Sequence, residues 1–362
     1  MLRNKFVISL LAIFGMLASC SNSHIRLFDI KNVSIHTELQ EKYLSGNYES
    51  AVRYATGREE LSRPEPITLS WKVKEQKNEI FSISISENSD LSLAKTYKTS
   101  ATSIDIYNLK IATKYYWNVS YSLDENTYTS KISSFVTEKQ GPRNLYVDGI
   151  TNVRDVGGWE IDSKHRVKQG LVYRSGRLNT SNAKEVIKEV TEIGQKVLLD
   201  DLCLKTEMDL RTTDDNEVGS ISSSVLGKEI NYLSVPMNWK DNVLMANLDV
   251  ISHIFSDIFT DESNYPLIFH CNIGTDRTGL IAYLLNGLLG VSQENLYIDY
   301  LFSNFGFING ARTVSTINNS YANYINSLEG ETLSSRISNL LNSIGVTNSE
   351  IDKIKEIFIE EN

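Results

Sequence analysis

Cysteine and histidine are scarce in this sequence. Its 362 residues include three cysteines, Cys20, Cys203 and Cys271, and five histidines. Cys20 lies in an apolar N-terminal segment, and the other two cysteines allow at most one disulfide, so a disulfide-stapled scaffold is excluded. We expect no structural disulfide if Cys271 takes part in chemistry. The histidines lack the spacing of metal ligands, so we predict no metal site and no cofactor.

Positive charge is also in short supply. Lysine and arginine number 36 against 45 aspartates and glutamates, which gives a formal net charge of −9. An acidic protein repels polyanions, so nucleic acid is excluded as a partner. Hydrophobic residues make up 41% and charged residues 22%, which is ordinary for a globular protein with a real core. The length indicates two domains.

The only long apolar run lies near the N-terminus, at residues 6–18, after a short basic start. It is short for a transmembrane span and has the layout of a secretory signal. The following letters LASC resemble a bacterial lipobox. That resemblance implies a lipoprotein signal peptide at 1–19 and an exported protein held in a cell-envelope membrane by lipid on Cys20, facing the periplasm or the surface. A plain signal peptide, or an uncleaved anchor with a chance cysteine, remains the alternative.

Residues 61–138 predict an all-β domain. Apolar residues alternate with polar ones in ITLSWKV, IFSISIS and YYWNVSY, which indicates strands with one buried face in a β-sandwich. The domain resembles fibronectin type III, because Leu109, Thr113 and Tyr115 match its tyrosine-corner pattern, although Ile111 stands where proline is usual. Such a domain fits a spacer or binding role. Residues 20–60 are polar and form either a tether or the start of this domain.

Residues 139–362 predict an α/β domain with a sheet covered by helices on both faces, because strand-like and helix-like patterns alternate there. We expect strands near 207–211 and 265–269, and helices over 181–194, 247–259, 278–290 and 350–361.

The loop between the 265–269 strand and the 278–290 helix contains the candidate chemistry, in the sequence HCNIGTDRTG. A helix N-terminus offers unpaired N–H groups that cradle an anion, and Gly274 permits the tight path. Arg277 adds a planar fork of donors for phosphate oxygens. The same groups favour the Cys271 thiolate, so its pKa is expected to fall below that of a free thiol. This arrangement predicts phosphoryl transfer through a covalent cysteine intermediate.

The ten-residue loop resembles the signature of cysteine-dependent tyrosine phosphatases. Its form, His-Cys-x-x-Gly-x-Asp-Arg-Thr-Gly, is similar to the bacterial branch that includes a Listeria lipid/tyrosine phosphatase and the mycobacterial secreted tyrosine phosphatase. Segments similar to other motifs of the family occur in the expected order: TNVRDVGGW (151–159), GLVYRSGRL (170–178), DLRTTDDNE (209–217) and DYLFSN (299–304). The resemblance covers about 200 residues. It implies the cysteine-phosphatase fold, with a mixed central sheet flanked by helices.

The resemblance also implies roles for individual residues. Cys271 would be the nucleophile and Arg277 would stabilise the phosphoryl transition state. Thr278 would donate a hydrogen bond to the sulfur, and His270 would position the loop. The backbone amides that would cradle the phosphate are those of Asn272, Ile273, Gly274, Thr275, Asp276 and Arg277.

The general acid is left open between two aspartates. The bacterial branch uses the loop aspartate, here Asp276, although pairing with Arg277 or capping of the helix is the structural alternative. Asp241 is the reserve candidate. Arg154 and Asp155 either line the pocket or form a salt bridge that holds their turn.

The resemblance predicts a phosphatase acting on phosphotyrosine in a protein, or on another aryl phosphate monoester. Many relatives have lysine at the position of Thr275, and its absence disfavours phosphoinositides, which carry several phosphates. Phosphoinositide or dual-specificity activity is the first alternative. The second is a surface binding protein whose phosphatase domain is a relic.

Overall fold

The computed structural model describes residues 24–74, 79–179, 189–212, 222–239 and 242–362. Cys20, Asp241 and most of the helix predicted at 181–194 lie outside the described residues. No helix in the described ranges is both long enough and apolar enough to cross a membrane.

The N-terminal part is a sandwich of two antiparallel sheets, which confirms the predicted β-rich region. One sheet has the order β1 (Ile25–Leu27), β2 (Ile67–Val73), β5 (Ser103–Ile106). The other has the order β4 (Lys95–Thr99), β3 (Phe81–Ser86), β6 (Lys114–Leu123), β7 (Asn126–Thr129), and β8 (Ser133–Val136) also pairs with β6.

The core of this sandwich consists of the apolar residues that occupy every second position of its strands. Trp71 on β2 and Trp117 on β6 are buried between the sheets with the other inward-facing apolar residues. The Tyr115 hydroxyl accepts a hydrogen bond from the backbone amide of Lys110 at 2.9 Å. This is the contact that a tyrosine corner makes.

The C-terminal part is an α/β domain, as predicted. Its strands are β9 (Arg154–Asp155), β10 (His165–Val167), β11 (Val172–Ser175), β12 (Thr206–Asp209), β13 (Asn231–Ser234), β14 (Leu267–His270) and β15 (Ile359–Glu361). Its helices are α2 (Glu192–Lys196), α3 (Leu248–His253), α4 (Asp276–Leu289), α5 (Gln293–Phe302), α6 (Val314–Ile317), α7 (Asn323–Ser327), α8 (Leu333–Ser343) and α9 (Asn348–Phe358).

The central sheet has the order β13-β12-β14-β11-β9 and is mixed. The first four strands are parallel, and β9 is antiparallel to β11. Leu267 and Phe269 of β14 pack into one apolar cluster, and Ile268 packs into the cluster on the opposite face. The carboxyl ends of the parallel strands therefore meet at one edge of a sheet buried on both sides, which is where α/β proteins place their sites.

The segment before the sandwich also packs against the α/β domain. Helix α1 (Glu38–Leu44) places Tyr43 against Phe302 and Phe305, and its hydroxyl donates to the carbonyl of Ile298 at 2.9 Å. Further along, the Leu61 amide donates to the Phe305 carbonyl at 2.6 Å. Residues 20–60 were predicted to be a tether or the start of the β domain. In the structure β1 joins the sandwich, and α1 contributes to the core of the α/β domain.

The end of the chain differs from the prediction. The expected helix at 350–361 stops at Phe358, and β15 then pairs antiparallel with β10. The partner strand is about 190 residues earlier in the sequence, so no local pattern in FIEE could reveal the pairing.

Candidate active site

The predicted loop lies at the carboxyl edge of the sheet, between the end of β14 and the start of α4. Gly274 has φ +70°, a left-handed conformation that favours glycine. A Cβ atom at this position would lie 2.4 Å from the Ser175 carbonyl oxygen. Both the conformation and the space therefore require glycine, and the loop can press closely against the end of β11.

The carbonyl groups of this loop accept hydrogen bonds from residues outside the loop. The Asn152 side-chain amide donates to the carbonyls of Ile273 at 3.2 Å and Gly274 at 3.0 Å. The Arg174 guanidinium donates to the Gly274 carbonyl at 2.9 Å. The Arg177 amide donates to the Asn272 carbonyl at 3.2 Å. With the carbonyls facing the protein body, the loop amides remain for an anion at the helix N-terminus.

Cys271 lies at the base of the loop and is only 2% exposed. Burial by itself would raise the pKa of the thiol, but the Arg277 charge and the hydroxyl and amide of Thr278 outweigh it, so the pKa is lowered. Among the residues that the structure describes, no other group forms a hydrogen bond with the buried Thr278 hydroxyl. A hydrogen bond from this hydroxyl to the sulfur is the role that the resemblance implies for Thr278, and it stays a prediction.

Arg277 is fixed in the first turn of α4. One terminal nitrogen of its guanidinium donates to the carbonyls of Leu210 at 3.2 Å and Met237 at 3.3 Å. The side chain lines the same pocket as Cys271. These contacts orient the planar fork within the pocket, where its geometry matches two oxygens of a phosphoryl group.

His270 belongs to a buried ion cluster beneath the loop. Its Nε2 contacts Glu207 at 2.9 Å, and its Nδ1 lies 3.8 Å from Asp209. Burial lowers the pKa of His270, but the two carboxylates outweigh that effect and raise it. Burial raises the pKa of Asp209, but the charges of His270 and Arg211 outweigh this effect and lower the pKa to about 2.

The ligand atoms of His270, Glu207 and Asp209 lie within 4.8 Å of one another, close enough for metal ligands. Arg211 already binds both oxygens of Asp209. The two carboxylates are therefore neutralised by protein cations, and the cluster is built as an ion-pair network.

Arg154 and Asp155 hold the framework and do not line the pocket. Arg154 donates to Asp299 on α5 at 2.7 Å, and Asp155 accepts from Arg143 at 2.6 Å. All four side chains are at most 7% exposed. Each therefore forms a salt bridge, as one of the two alternatives held, but with a residue outside their own turn.

The pocket above Cys271 has a volume of about 510 Å³. Its rim combines Trp239, which is 48% exposed, with apolar, amide and charged side chains. The lining residues are Trp239, Asn242, Val243, Cys271, Asn272, Ile273, Asp276, Arg277, Ile308, Asn309, Arg312, Asn319 and Ser320.

Asp276 pairs with Arg312 and not with Arg277. The guanidinium of Arg312 donates to Oδ1 of Asp276 at 2.9 Å and to Oδ2 at 2.8 Å. The Tyr300 hydroxyl donates to Oδ1 at 3.2 Å. Both oxygens of the Asp276 carboxyl group thus accept hydrogen bonds from one guanidinium, in a two-point contact that fixes the direction of the side chain.

Thr275 lies below the pocket surface. Its side chain is fully buried, and its hydroxyl contacts the Asn152 amide at 3.4 Å and the Ile273 carbonyl at 3.3 Å. The side chain at this position therefore adds nothing to the pocket wall. Only the backbone amide of Thr275 is placed to serve an anion.

Several residues that shape the site had no individual role in the sequence prediction. Arg174 and Asp299 occur in segments recognised as family motifs, YRSG and DYLFSN, and these motifs were the signal that could have identified them. Arg312 and Trp239 belong to no recognised motif. They line the pocket because of the way their loops fold, and the sequence does not reveal that folding.

The tyrosine phosphatase family model matches residues 145–360 of the chain. A Cupriavidus necator protein, provisionally named a tyrosine-protein phosphatase, is 29% identical over 189 residues, which cover 46% of this chain and 64% of the relative. The match thus spans less than two thirds of that relative.

Two similar solved structures are the core catalytic domain of the S. cerevisiae PP-IP phosphatase SIW14 and P. aeruginosa TpbA. The first is 14% identical with a TM-score of 0.30 and covers 53% of this chain and 91% of that chain. The second is 16% identical with a TM-score of 0.27 and covers 57% of this chain and 90% of that chain.

The family match extends over more than half of the chain and includes both the loop and the flanking motifs. The predicted membership of a tyrosine phosphatase family is thereby confirmed. The chain belongs to the tyrosine phosphatase family.

Proposed function

We propose that this protein hydrolyses phosphotyrosine and related aryl phosphate monoesters through a phosphocysteine intermediate. The observation that carries the proposal is the pairing of a buried cysteine of lowered pKa with an oriented arginine at the base of one pocket. The Cys271 sulfur attacks phosphorus while the bond to the aryl oxygen breaks. Water then attacks phosphorus, and the S–P bond electrons return to sulfur as the thiolate.

The shape and lining of the pocket favour an aryl substrate. Because Cys271 is only 2% exposed, a substrate must extend its phosphoryl group well into the pocket to reach the sulfur. Trp239, Val243 and Ile308 supply apolar surface along the way. An aromatic ring that carries the phosphate fits this wall better than a short serine side chain does.

The charge of the pocket favours one phosphate group. Among the described residues that line it, the cationic ones are Arg277 and Arg312. Arg312 is engaged with Asp276 and with the Gly310 carbonyl at 3.0 Å. A second phosphate would have to displace a carboxylate from this arginine, which disfavours phosphoinositides.

A colour assay with p-nitrophenyl phosphate in the presence of EDTA tests the activity. We expect turnover by the wild type and none by Cys271→Ser, because sulfur and arginine supply the nucleophile and the charge. An inactive wild type would favour the binding-protein alternative. Profiling phosphotyrosine peptides against phosphoinositides then tests the substrate class, and faster cleavage of phosphoinositides would contradict our assignment.

We further infer that the protein is an exported lipoprotein anchored through Cys20, and that its sandwich is a fibronectin type III-like spacer or binding domain. The inference rests on the N-terminal sequence and on the Tyr115–Lys110 contact. Cells expressing the protein should incorporate a clickable fatty acid into the wild type but not into Cys20→Ala. Equal labelling of the two proteins would reject the anchor.

A further inference from the structure

One wall of the pocket is a loop that a distant part of the chain holds in place. Residues 304–312, here called the pocket loop, contribute Ile308 and Asn309 to the lining. The Gly57 carbonyl accepts hydrogen bonds from the amides of Ile308 at 3.0 Å and Gly310 at 3.2 Å. The approach is close, since a Cβ atom on Gly57 would lie 2.6 Å from the Ile308 side chain. The segment that binds the pocket loop therefore comes from the part of the chain before the sandwich.

Glu60 lies in the same segment and binds the pocket loop through its side chain. Its Oε2 accepts hydrogen bonds from the Thr151 hydroxyl and from the Phe307 amide, the latter at 3.3 Å. The Thr151 hydroxyl accepts from the Phe307 amide at 2.8 Å. Because this hydroxyl donates its one hydrogen to Glu60, its lone pairs can serve the Phe307 amide. Glu60 thus orients the acceptor that holds the residue directly before Ile308.

The other oxygen of Glu60 connects this contact with the loop at the base of the pocket. Oε1 accepts from the Ser62 amide at 3.1 Å and from the Ser62 hydroxyl. The Ser62 hydroxyl accepts from the Asn152 amide at 3.1 Å. The Asn152 side chain in turn donates to the carbonyls of Ile273 and Gly274. One carboxylate therefore joins the wall of the pocket to the support of its base.

The family resemblance assigns no role to this glutamate. The family model matches residues 145–360, whereas the contact from Glu60 to Phe307 spans 247 positions of the sequence. The group that organises the pocket wall thus lies outside the part of the chain that the family model describes. The arrangement of the pocket depends on the segment before the sandwich being folded against the α/β domain.

We propose that Glu60 is a positioning residue that fixes the pocket loop against Thr151, so that Ile308 and Asn309 receive the leaving group of the substrate. The inference rests on the proposed function. The loop that contains Cys271 holds the phosphoryl group, and the pocket loop holds the group attached to it. Glu60 therefore acts on the binding of the leaving group and takes no part in the making or breaking of bonds.

Steady-state kinetics of the full chain with a phosphotyrosine peptide test this role. Glu60→Ala should raise KM about tenfold and leave kcat within about twofold of the wild type, because it removes binding that is equal in the ground state and the transition state. Inorganic phosphate lacks a leaving group. Its competitive inhibition constant should therefore stay within about twofold of the wild-type value.

Two further variants separate the hydrogen bonds of Glu60 from other effects of its loss. Glu60→Gln retains a carbonyl oxygen that can accept from the Thr151 hydroxyl and the Phe307 amide, so its KM should stay within about threefold of the wild type. Glu59→Ala removes the neighbouring glutamate, which is exposed, and should behave as the wild type.

Hydrogen exchange of the full chain tests the position of the pocket loop without any turnover. The amides of Phe307 and Ile308 should exchange about fivefold or more faster in Glu60→Ala than in the wild type, while those of β14 should be unchanged. Glu59→Ala should again match the wild type. Exchange at Phe307 and Ile308 that does not respond to Glu60→Ala would overturn the proposal.

The kinetic outcomes are also distinct. If Glu60→Ala lowers kcat and weakens phosphate inhibition as much as it raises KM, or leaves KM unchanged, Glu60 does not act through the pocket loop and the proposal fails. If the wild type does not hydrolyse the peptide or p-nitrophenyl phosphate, the proposed function fails, and the exchange measurement still decides whether Glu60 fixes the loop. If the melting temperature shows that Glu60→Ala is unfolded, Thr151→Val removes the same contact from its other side, and a wild-type KM in that variant would overturn the proposal.

Discussion

Arg174 and Asp299 form a buried ion pair at 2.5 Å directly beneath the loop that contains Cys271. The other terminal nitrogen of Arg174 donates to the Gly274 carbonyl. Asp299 also forms an ion pair with Arg154 on β9. One carboxylate on α5 thus fixes two strands and, through Arg174, the loop that contains Cys271. Burial raises the pKa of Asp299, but the two arginines outweigh it and lower the pKa, so the group stays charged.

Replacing Asp299 with asparagine should destabilise the fold strongly. Two buried guanidinium groups would lose their countercharge, and breaking a buried pair in this way costs about 3–5 kcal/mol. Urea unfolding measures the loss. Glu360→Gln, which breaks the partly exposed Arg166 pair, serves as the control and should cost less than about 1 kcal/mol. Equal costs for the two variants would show that the Asp299 network contributes no special stability.

Arg277→Lys should lower kcat/KM for aryl phosphates by about 10²-fold or more, because an ammonium cannot reproduce the two-point grip on the phosphoryl oxygens. Its positive charge remains, so the thiolate should persist. Alkylation of Cys271 by iodoacetamide should therefore keep its low-pH onset in Arg277→Lys and move to higher pH in Arg277→Gln. Cys203, which is exposed, provides the reference thiol within the same chain. An Arg277→Lys enzyme of near wild-type activity would contradict the proposed grip.

Gly274→Ala should abolish activity and binding of inorganic phosphate while the sheet remains folded. The added methyl would lie 2.4 Å from backbone atoms of Ser175, which cannot move without disturbing β11. Gly227→Ala is the matched control, since Gly227 also has a positive φ, +115°, but meets nothing within 4 Å. Calorimetry of phosphate binding should separate the two variants. Similar losses in both would assign the effect to backbone conformation and not to the close approach.

The His270 cluster should make stability depend on pH. Its pKa is raised on folding, so its contribution is fully present below the unfolded value of about 6.5 and is lost as the pH rises through the folded value. Thermal melts from pH 6 to 9 should show this loss. In Glu207→Gln one of the two carboxylates is gone, so the loss should begin at lower pH. If the stability of the wild type and that of a His270→Asn variant depend on pH in the same way, His270 does not cause the loss.

The sequence by itself determined the fold class and the local arrangement of the loop that contains Cys271. Alternation of apolar residues specified the strands β2, β3 and β6, because side chains in a strand face opposite sides in turn. The loop could also be predicted from the sequence, since its functional groups lie close together along the chain. Cys271, Gly274 and Arg277 lie within seven consecutive residues, and a strand that enters a helix brings them to one point whatever the rest of the chain does.

Tertiary structure alone decided which groups act on that loop from a distance. Arg312 reaches Asp276 from 36 residues away, and Asn152 reaches the loop carbonyls from more than 120 residues away. Thr275 is adjacent to Asp276, yet its side chain is buried while Asp276 lines the pocket. Such contacts depend on the angle at which helices and loops pack on the sheet, and no spacing in the sequence encodes that angle. The physical reason is that a side chain's direction follows from local backbone geometry, whereas its partner follows from the packing of the whole domain.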